Sequence, residues 1–211
     1  MAGARIDTLQ IADDPGRWRD LGFLVDEGGC CRLGATTLRL EGAGAQARTG
    51  IVCWTLSGSP GSGPVDGLPT IRLPETPMAA APPPPPHPNS AFSLDHVVVG
   101  TPDFARTLAA IAGAGMKLRR TRETASGLRQ AFFRHGEAIL EVVGPQLEAS
   151  EAAAEPASFW GLVANVGDIE LAARIAGPRL GRVRDAVQPG RRIATYCAEA
   201  DLSVRLALIC G

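Results

Sequence analysis

The same order of sequence patterns occurs twice in the C-terminal half of this chain, and a repeat of that kind constrains the architecture more than any single residue does. In the first copy Leu94–Gly100 is a β-branched run that reads as a strand. Residues 102–114 follow with Phe104, Leu108, Ile111 and Ala112 at helical spacing. Thr101 is the expected N-cap of that helix, Pro102 suits its first turn, and Gly113 and Gly115 suit its end. Residues 117–123, 128–135 and 138–144 then read as three strands separated by Gly127 and Gly136. The second copy has a strand over 159–166, a helix over 168–176, and strands over 180–187, 191–199 and 203–210, with a Pro189-Gly190 turn. Each unit reads β-α-β-β-β.

A weaker copy lies at the N-terminus, with strands over 5–11, 23–26 and 33–41 and a short helix over 15–21. Its Gly34 to Gly42 parallels Gly136 to Gly144 position for position, and Gly50–Leu56 reads as an extra strand, the start of a truncated partner unit. Leu73–Ser93 separates this part from the rest. It contains Pro82 to Pro86 in a row, followed by His87-Pro88-Asn89, and consecutive prolines favour an extended, semi-rigid strap. The expected organisation is a degenerate N-terminal module over 1–72, a Pro-rich linker over 73–93, and paired modules over 94–211, namely 94–145 and 158–211.

Composition removes several function classes. The chain has 211 residues, 45% hydrophobic and 20% charged, enough to bury a core. No apolar run is long enough to span a bilayer, so a membrane role is not expected. The net charge of −1 and an aromatic content of 5% argue against nucleic acid as a partner. The first fourteen residues carry Asp7, Asp13 and Asp14 rather than a secretory signal, so a cytoplasmic location is expected. The five cysteines include the adjacent pair Cys30-Cys31 and no Cys-x-x-Cys spacing, so they read as thiols in a reducing compartment. Gly42–Ala47 lacks the helix that a dinucleotide phosphate would meet, Gly58–Gly63 lacks the Lys-Ser/Thr of a phosphate loop, and no Gly-x-Ser-x-Gly is present. Cys53 and Cys197 have no histidine at motif spacing, which leaves a thiol nucleophile unsupported.

Tandem β-α-β-β-β units, with His96 in Leu94-Asp95-His96-Val97-Val98-Val99 and Glu141 in Ala138-Ile139-Leu140-Glu141-Val142-Val143-Gly144-Pro145, resemble the vicinal oxygen chelate superfamily. That group includes glyoxalase I, extradiol dioxygenases, methylmalonyl-CoA epimerase and bleomycin-resistance proteins. The match covers Ser93 to Cys210 well and Arg5 to Leu56 loosely. The resemblance implies an α+β fold in which tandem modules form cup-shaped mixed sheets, with the first and fourth strands of a unit as neighbours and a divalent metal in the cup. A homodimer and a monomer both satisfy such a fold, since units pair either across chains or within one.

Strand periodicity places Leu94, His96 and Val98 on one face, and Ile139, Glu141 and Val143 on one face of theirs. A carboxylate inside an apolar strand must be paired, protonated or metal-bound. His96 and Glu141 are thus the candidate metal ligands, for Zn, Fe, Mn, Ni or Co without distinction, and Glu141 is also the candidate general base. The alternative for this pair is a buried His–carboxylate hydrogen bond with no metal. The partner positions supply no further donor: Leu162 stands in the first strand of the last unit, residues 204–208 hold no carboxylate or imidazole, and the N-terminal unit offers Thr8 and Arg39. Arg191 and Arg192 are candidate contacts to a substrate carboxylate, with a solvated hairpin as the alternative. His87 and His135 read as exposed loop histidines, and Trp18, Trp54 and Trp160 as core or interface residues. Besides a purely structural or partner-binding role, two functions stay open on this reading. One is a metal-dependent lyase, isomerase or dioxygenase of glyoxalase type, acting on a small molecule with adjacent oxygens. The other is a non-catalytic protein that sequesters a small-molecule ligand on the same scaffold.

Overall fold

The computed structural model describes residues 3–42, 49–75, 85–124, 127–134, 136, 138–145 and 155–211. The N-terminal half contains β1 (Arg5–Ile11), α1 (Pro15–Asp20), β2 (Cys30–Leu33), β3 (Thr36–Leu40), β4 (Ile51–Ser57) and β5 (Thr70–Leu73). These form a sheet in the order β2-β3-β1-β4-β5. The C-terminal half contains β6 (Ala91–Gly100), α2 (Phe104–Gly113), β7 (Leu118–Glu123), β8 (Leu128–Arg134) and β9 (Ile139–Pro145), then β10 (Ser158–Val166), α3 (Ile169–Ala176), β11 (Arg184–Asp185), β12 (Arg192–Thr195) and β13 (Arg205–Cys210). Its strands make one mixed, cup-like sheet in the order β11-β12-β13-β10-β6-β9-β8-β7.

The expected repeat is visible in the pairings. β6 runs parallel to β9 and β10 parallel to β13, so the first and last strands of each unit are neighbours, and the two units join where β6 meets β10 antiparallel. The N-terminal sheet follows the same scheme in shortened form. β1 is parallel to β3 and antiparallel to β4, and β4 is parallel to β5. β4 and β5 thus stand to β1 and β3 as β10 and β13 stand to β6 and β9, which completes the truncated partner unit with a strand, Thr70–Leu73, that sequence reasoning missed.

Local chemistry explains the helices. In α2 the residues Phe104, Thr107 and Ile111 are buried, one face of a short helix whose N-cap is Asp103 accepting from the Arg106 N–H. Thr101 is not the cap; its hydroxyl accepts the Asp103 N–H, and Pro102 stays outside the helix. In α3 the Asp168 side chain caps Glu170 and Leu171, and Gly177 ends the helix at φ +58, where a side chain would be strained. The core face of the large sheet is set by Leu94, Val97 and Val99 on β6, Leu140 and Val142 on β9, Leu162 and Ala164 on β10, and Leu206 and Leu208 on β13. Trp18, Phe23 and Trp54 extend the same cluster into the N-terminal half.

Several expectations change here. The region 23–26 is not a strand; its place is taken by Cys30–Leu33, hairpinned to Thr36–Leu40. The expected strand over 180–187 shrinks to Arg184–Asp185, after a 3-10 turn at Gly177–Arg179. Trp160 is 55% exposed, because the ladder between β10 and β6 skips from Phe159 to Gly161 and leaves it unpaired, its ring under the Arg205 guanidinium at 4.9 Å. Most of the proline run, residues 43–47, His135 and most of 146–158 lie outside the described residues. No disulfide joins the cysteines of the described chain, and burial pushes the Cys31 thiol up to about 12, which makes it inert.

His87, expected as an exposed loop residue, is buried at 5% exposure and fastens the end of the strap to the N-terminal sheet. Its Nδ1 accepts the Leu24 N–H at 2.8 Å and its Nε2 lies 2.8 Å from the Arg32 carbonyl, which accepts, so the neutral Nε2–H form is held. Asn89 adds a bond to the Leu21 carbonyl at 3.0 Å. Further ties between the halves are Arg106 to Asp66 at 2.6 Å, the Ser203 N–H to Asp13 at 2.6 Å, and Trp54 edge-on to Phe159 at 5.3 Å.

Burial pushes the His87 imidazole below its ordinary value of about 6.5, against the opposing pull of the Arg32 carbonyl. A lowered folded-state value means that the unfolded chain binds more protons, so this histidine's stabilisation is complete above about pH 6.5 and is lost as pH falls below it. Urea unfolding between pH 7 and pH 5 is expected to show stability falling with acidity. His87→Ala is expected to flatten that slope and to cost about 1–3 kcal/mol at pH 7, from the orphaned Leu24 N–H and Arg32 carbonyl.

Candidate functional site

The site begins with a slip in the ladder between β6 and β10. His96 pairs with Val163, but the next pair is Leu94 with Ala164, so Asp95 is an extra residue on β6. A bulge of this kind breaks strict alternation. Leu94 therefore turns to the core with Val97 and Val99, away from the face it was expected to share with His96, while Asp95 and His96 both line one cavity in the cup. β7 repeats the device: Leu118 pairs with Phe133 and Arg120 with Phe132, so Arg119 is extra, and Arg119 and Arg120 both line the same cavity.

Register completes the floor. One row across the sheet reads Arg134, Ile139, His96, Val163, Ala207, and the next reads Phe132, Glu141, Val98, Gly161. The cavity has a volume of about 530 Å³, opens to solvent on the side of Arg119, Arg120 and Arg134, which are exposed, and is lined besides by Asp95, His96, Phe132, Ile139, Glu141 and Gln188. Ile139 and Glu141 share the cup face as expected, and His96 is brought to Glu141, with Nε2 3.6 Å from Oε2.

A polar chain runs along this floor. Gln130 Nε2 donates to Glu141 Oε1 at 2.5 Å, and Arg122 donates to Gln130. On the other side His96 Nδ1 lies 2.6 Å from Asp95 Oδ2, and Arg191 holds Asp95 Oδ1 at 2.9 Å. Arg191 also donates to Gln188 at 2.8 Å and to Asn165 at 2.5 Å, and Asn165 donates to Ser93 at 3.0 Å. Burial opposes the charge on Asp95, but the hydrogen bonds and charges of His96 and Arg191 outweigh it and hold the carboxyl below its ordinary value. Asp95 thus fixes the proton of His96 on Nδ1 and turns Nε2 to the cavity beside Glu141, an arrangement able to give or take one proton there.

Arg191 is committed to Asp95, Gln188 and Asn165 and is not among the residues that line the cavity. Arg192 does not line the cavity; it pairs with Glu170 at the opposite surface. Sequence reasoning missed Asp95, Gln130, Gln188, Asn165 and the three cavity arginines. Asp95 stood next to His96 in plain view, but a period of two sends adjacent residues to opposite faces, and only the bulge cancels that.

The second half of the cup is closed by apolar side chains. Val163, Ala207 and Ile209, with Ala186 and Ile193 against them, form a small cluster on the cup face of the second module. Val163, not Leu162, is the residue beside His96, since Leu162 turns to the core. A resident catalytic metal needs three or more protein donors. Here His96 Nε2 and Glu141 are available, both oxygens of Asp95 are engaged, and the second module offers hydrocarbon. Among the described residues no group of three His, Cys, Asp or Glu is placed to hold a metal ion. The donor set does not fit a metal of the kind the resemblance implies.

No family model matches the sequence, and no curated protein matches it. Solved structures do match. A mutant of 4-hydroxymandelate synthase from Streptomyces coelicolor aligns over 99% of this chain and 92% of its own, with a TM-score of 0.66 at 13% identity. Methylmalonyl-CoA epimerase from Mycobacterium tuberculosis aligns over 57% of this chain and 89% of its own, with a TM-score of 0.46 at 21% identity. The first of these covers both halves of the molecule, and it is a vicinal oxygen chelate protein. The fold of this chain is the vicinal oxygen chelate fold, paired modules and cup included. No helix among the described residues is long and apolar enough to cross a membrane.

Because the Asp95 carboxyl titrates below about 3.9 in the folded chain, its pairing stabilises fully above that pH and is lost as pH falls through the lower folded value. Arg191→Met is expected to lower stability at pH 7 by about 3 kcal/mol, since it strands a buried charge. Adding Asp95→Asn to that variant is expected to recover most of the loss, read by a double-mutant cycle in urea.

Proposed function

We propose that this chain is a non-catalytic small-molecule-binding protein that sequesters its ligand over the first C-terminal module. The observation that carries the reading is the asymmetry of the cup. One half is an open cavity of about 530 Å³ with polar groups converging on it, and the other is filled by Val163, Ala207 and Ile209. A concave site with a few convergent polar groups and an apolar wall, here Phe132 and Ile139, suits a small organic ligand. His96 and Glu141 act in this reading as a ligand-contacting pair rather than as metal ligands. Both modules come from one chain, so a monomer suffices for binding. Residues 1–72 serve as a degenerate module that backs the core, 73–93 as the linker and 94–211 as the ligand-binding pair. A cytoplasmic setting, expected from the sequence, belongs to the same reading.

The test combines metal analysis with ligand screening. Protein purified without a metal-affinity tag is expected to carry no stoichiometric divalent metal by plasma mass spectrometry. A thermal-shift panel of anionic, neutral and cationic small molecules is expected to raise Tm by about 5–10 °C at saturating ligand. Glu141→Ala and His96→Ala are expected to diminish that shift while leaving the free protein folded by circular dichroism. Stoichiometric metal in the wild type, lost in Glu141→Ala, would replace this reading with the metal-dependent enzyme. Failure of every class in the panel would leave the cup without a ligand role.

A further inference from the structure

We propose that the ligand of this cavity is a small organic dianion, its charged oxygens held by Arg119, Arg120 and Arg134. The inference rests on the binding reading above and assigns the chemical class of the ligand. Three guanidinium side chains line the cavity together with two carboxylates, Asp95 and Glu141. Arg191, which is not among the lining residues, already neutralises Asp95 at 2.9 Å. Among the described lining residues, three arginines thus stand against one carboxylate, Glu141, that has no arginine partner, an excess of two positive charges. Among the described residues no carboxylate lies within ion-pair distance of Arg119, Arg120 or Arg134, and the ion pairs that involve the C-terminal half are those of Arg17, Arg106, Arg191, Arg192 and His96.

The arrangement is built rather than incidental. Alternation along β7 would send Arg119 and Arg120 to opposite faces, and the bulge between Leu118 and Arg120 brings both into one cavity. Placing like charges side by side opposes folding, and an anion between them removes that repulsion. Arg134 enters the same space from the end of β8, one row from Arg120, with Ile139 beside it. Arg120 also lies over the Phe132 ring at 4.6 Å, and Arg122 flanks the ring at 5.6 Å, so a planar ligand body would rest on a surface already shared by aromatic and guanidinium groups. His96 Nε2 and Glu141 Oε2 lie at the floor, placed to meet a hydroxyl or a protonated oxygen on the same ligand. Carboxylate and phosphate oxygens suit the guanidinium fork equally well, so a dicarboxylate and a phosphate monoester share this chemistry.

Isothermal titration with a size-matched phenyl series tests the assignment: phthalate, phenyl phosphate, benzoate, benzamide and benzylammonium, each at low and at high salt. Phthalate or phenyl phosphate is expected to bind at least about tenfold more tightly than benzoate, with benzamide and benzylammonium weaker again, and the affinity is expected to fall as salt rises. Whichever of phthalate and phenyl phosphate binds more tightly identifies the carboxylate or the phosphate source. Arg119→Gln, Arg120→Gln and Arg134→Gln are each expected to weaken the dianion by about 10-fold or more, and Arg120→Glu to abolish binding. Arg192→Gln, on the far surface, is expected to leave it unchanged. Benzamide or benzylammonium binding as tightly as phthalate, with the arginine variants indifferent, would overturn the charge assignment and leave the binding reading standing. No heat with any member of the series would overturn the dianion assignment, while the thermal-shift panel decides the binding reading by itself.

Discussion

The one-residue slip between β6 and β10 is the constraint on which the site depends. At this seam the two C-terminal modules become one sheet, and the slip at Asp95 decides which side chains look into the cup. With perfect alternation a carboxylate at Asp95 would point into the hydrophobic core, at a cost no fold of this size could absorb without a partner. The bulge turns it outward instead, beside His96, where Arg191 arrives from the segment before β12 to hold it. One ion pair thus joins the first module to the second across the seam, and orients the imidazole at the same time.

The two modules then diverge in chemistry while keeping one topology. Rows that run unbroken across the sheet carry Arg134, Ile139 and His96 on one side of the seam and Val163 and Ala207 on the other. Apolar filling lets the second module support the first without contributing donors. The N-terminal half keeps the parallel pairing of β1 with β3 and of β4 with β5, and Trp18, Phe23 and Trp54 extend the core into it. His87 and Asn89 fix the incoming strap so that β6 starts in the correct register, which links the N-terminal packing to the geometry of the site.

Much of this fold was legible beforehand. Helical spacing in 104–112, the β-branched run at Val97–Val99 and the Gly-bounded strands gave the repeat, because hydrophobic periodicity is a local property of the chain. Errors fell where local signals compete. Pro102 invited an early helix start, yet Asp103 made the better cap. Phe23 to Asp26 has strand composition, but Phe23 is drawn into the core against Trp18, at 5.0 Å between ring centroids, and leaves the ladder. His87 sat among prolines and looked solvated, and only the folded chain brings it two backbone partners from the N-terminal sheet.

The sequence by itself determined the repeated order of strand and helix patterns, since hydrophobic periodicity is local, while the pairing of first with fourth strands, and with it the nearness of His96 to Glu141, was what the resemblance to the vicinal oxygen chelate superfamily implied. Tertiary structure alone decided the rest of the site. Asp95 joins His96 only through a bulge, Arg191 is drawn to Asp95 from 96 residues away, and Arg119 with Arg120 share a cavity only because β7 slips against β8. A bulge leaves no local mark on hydrophobic pattern, because it arises from the register between two strands, and register is a property of the assembled sheet.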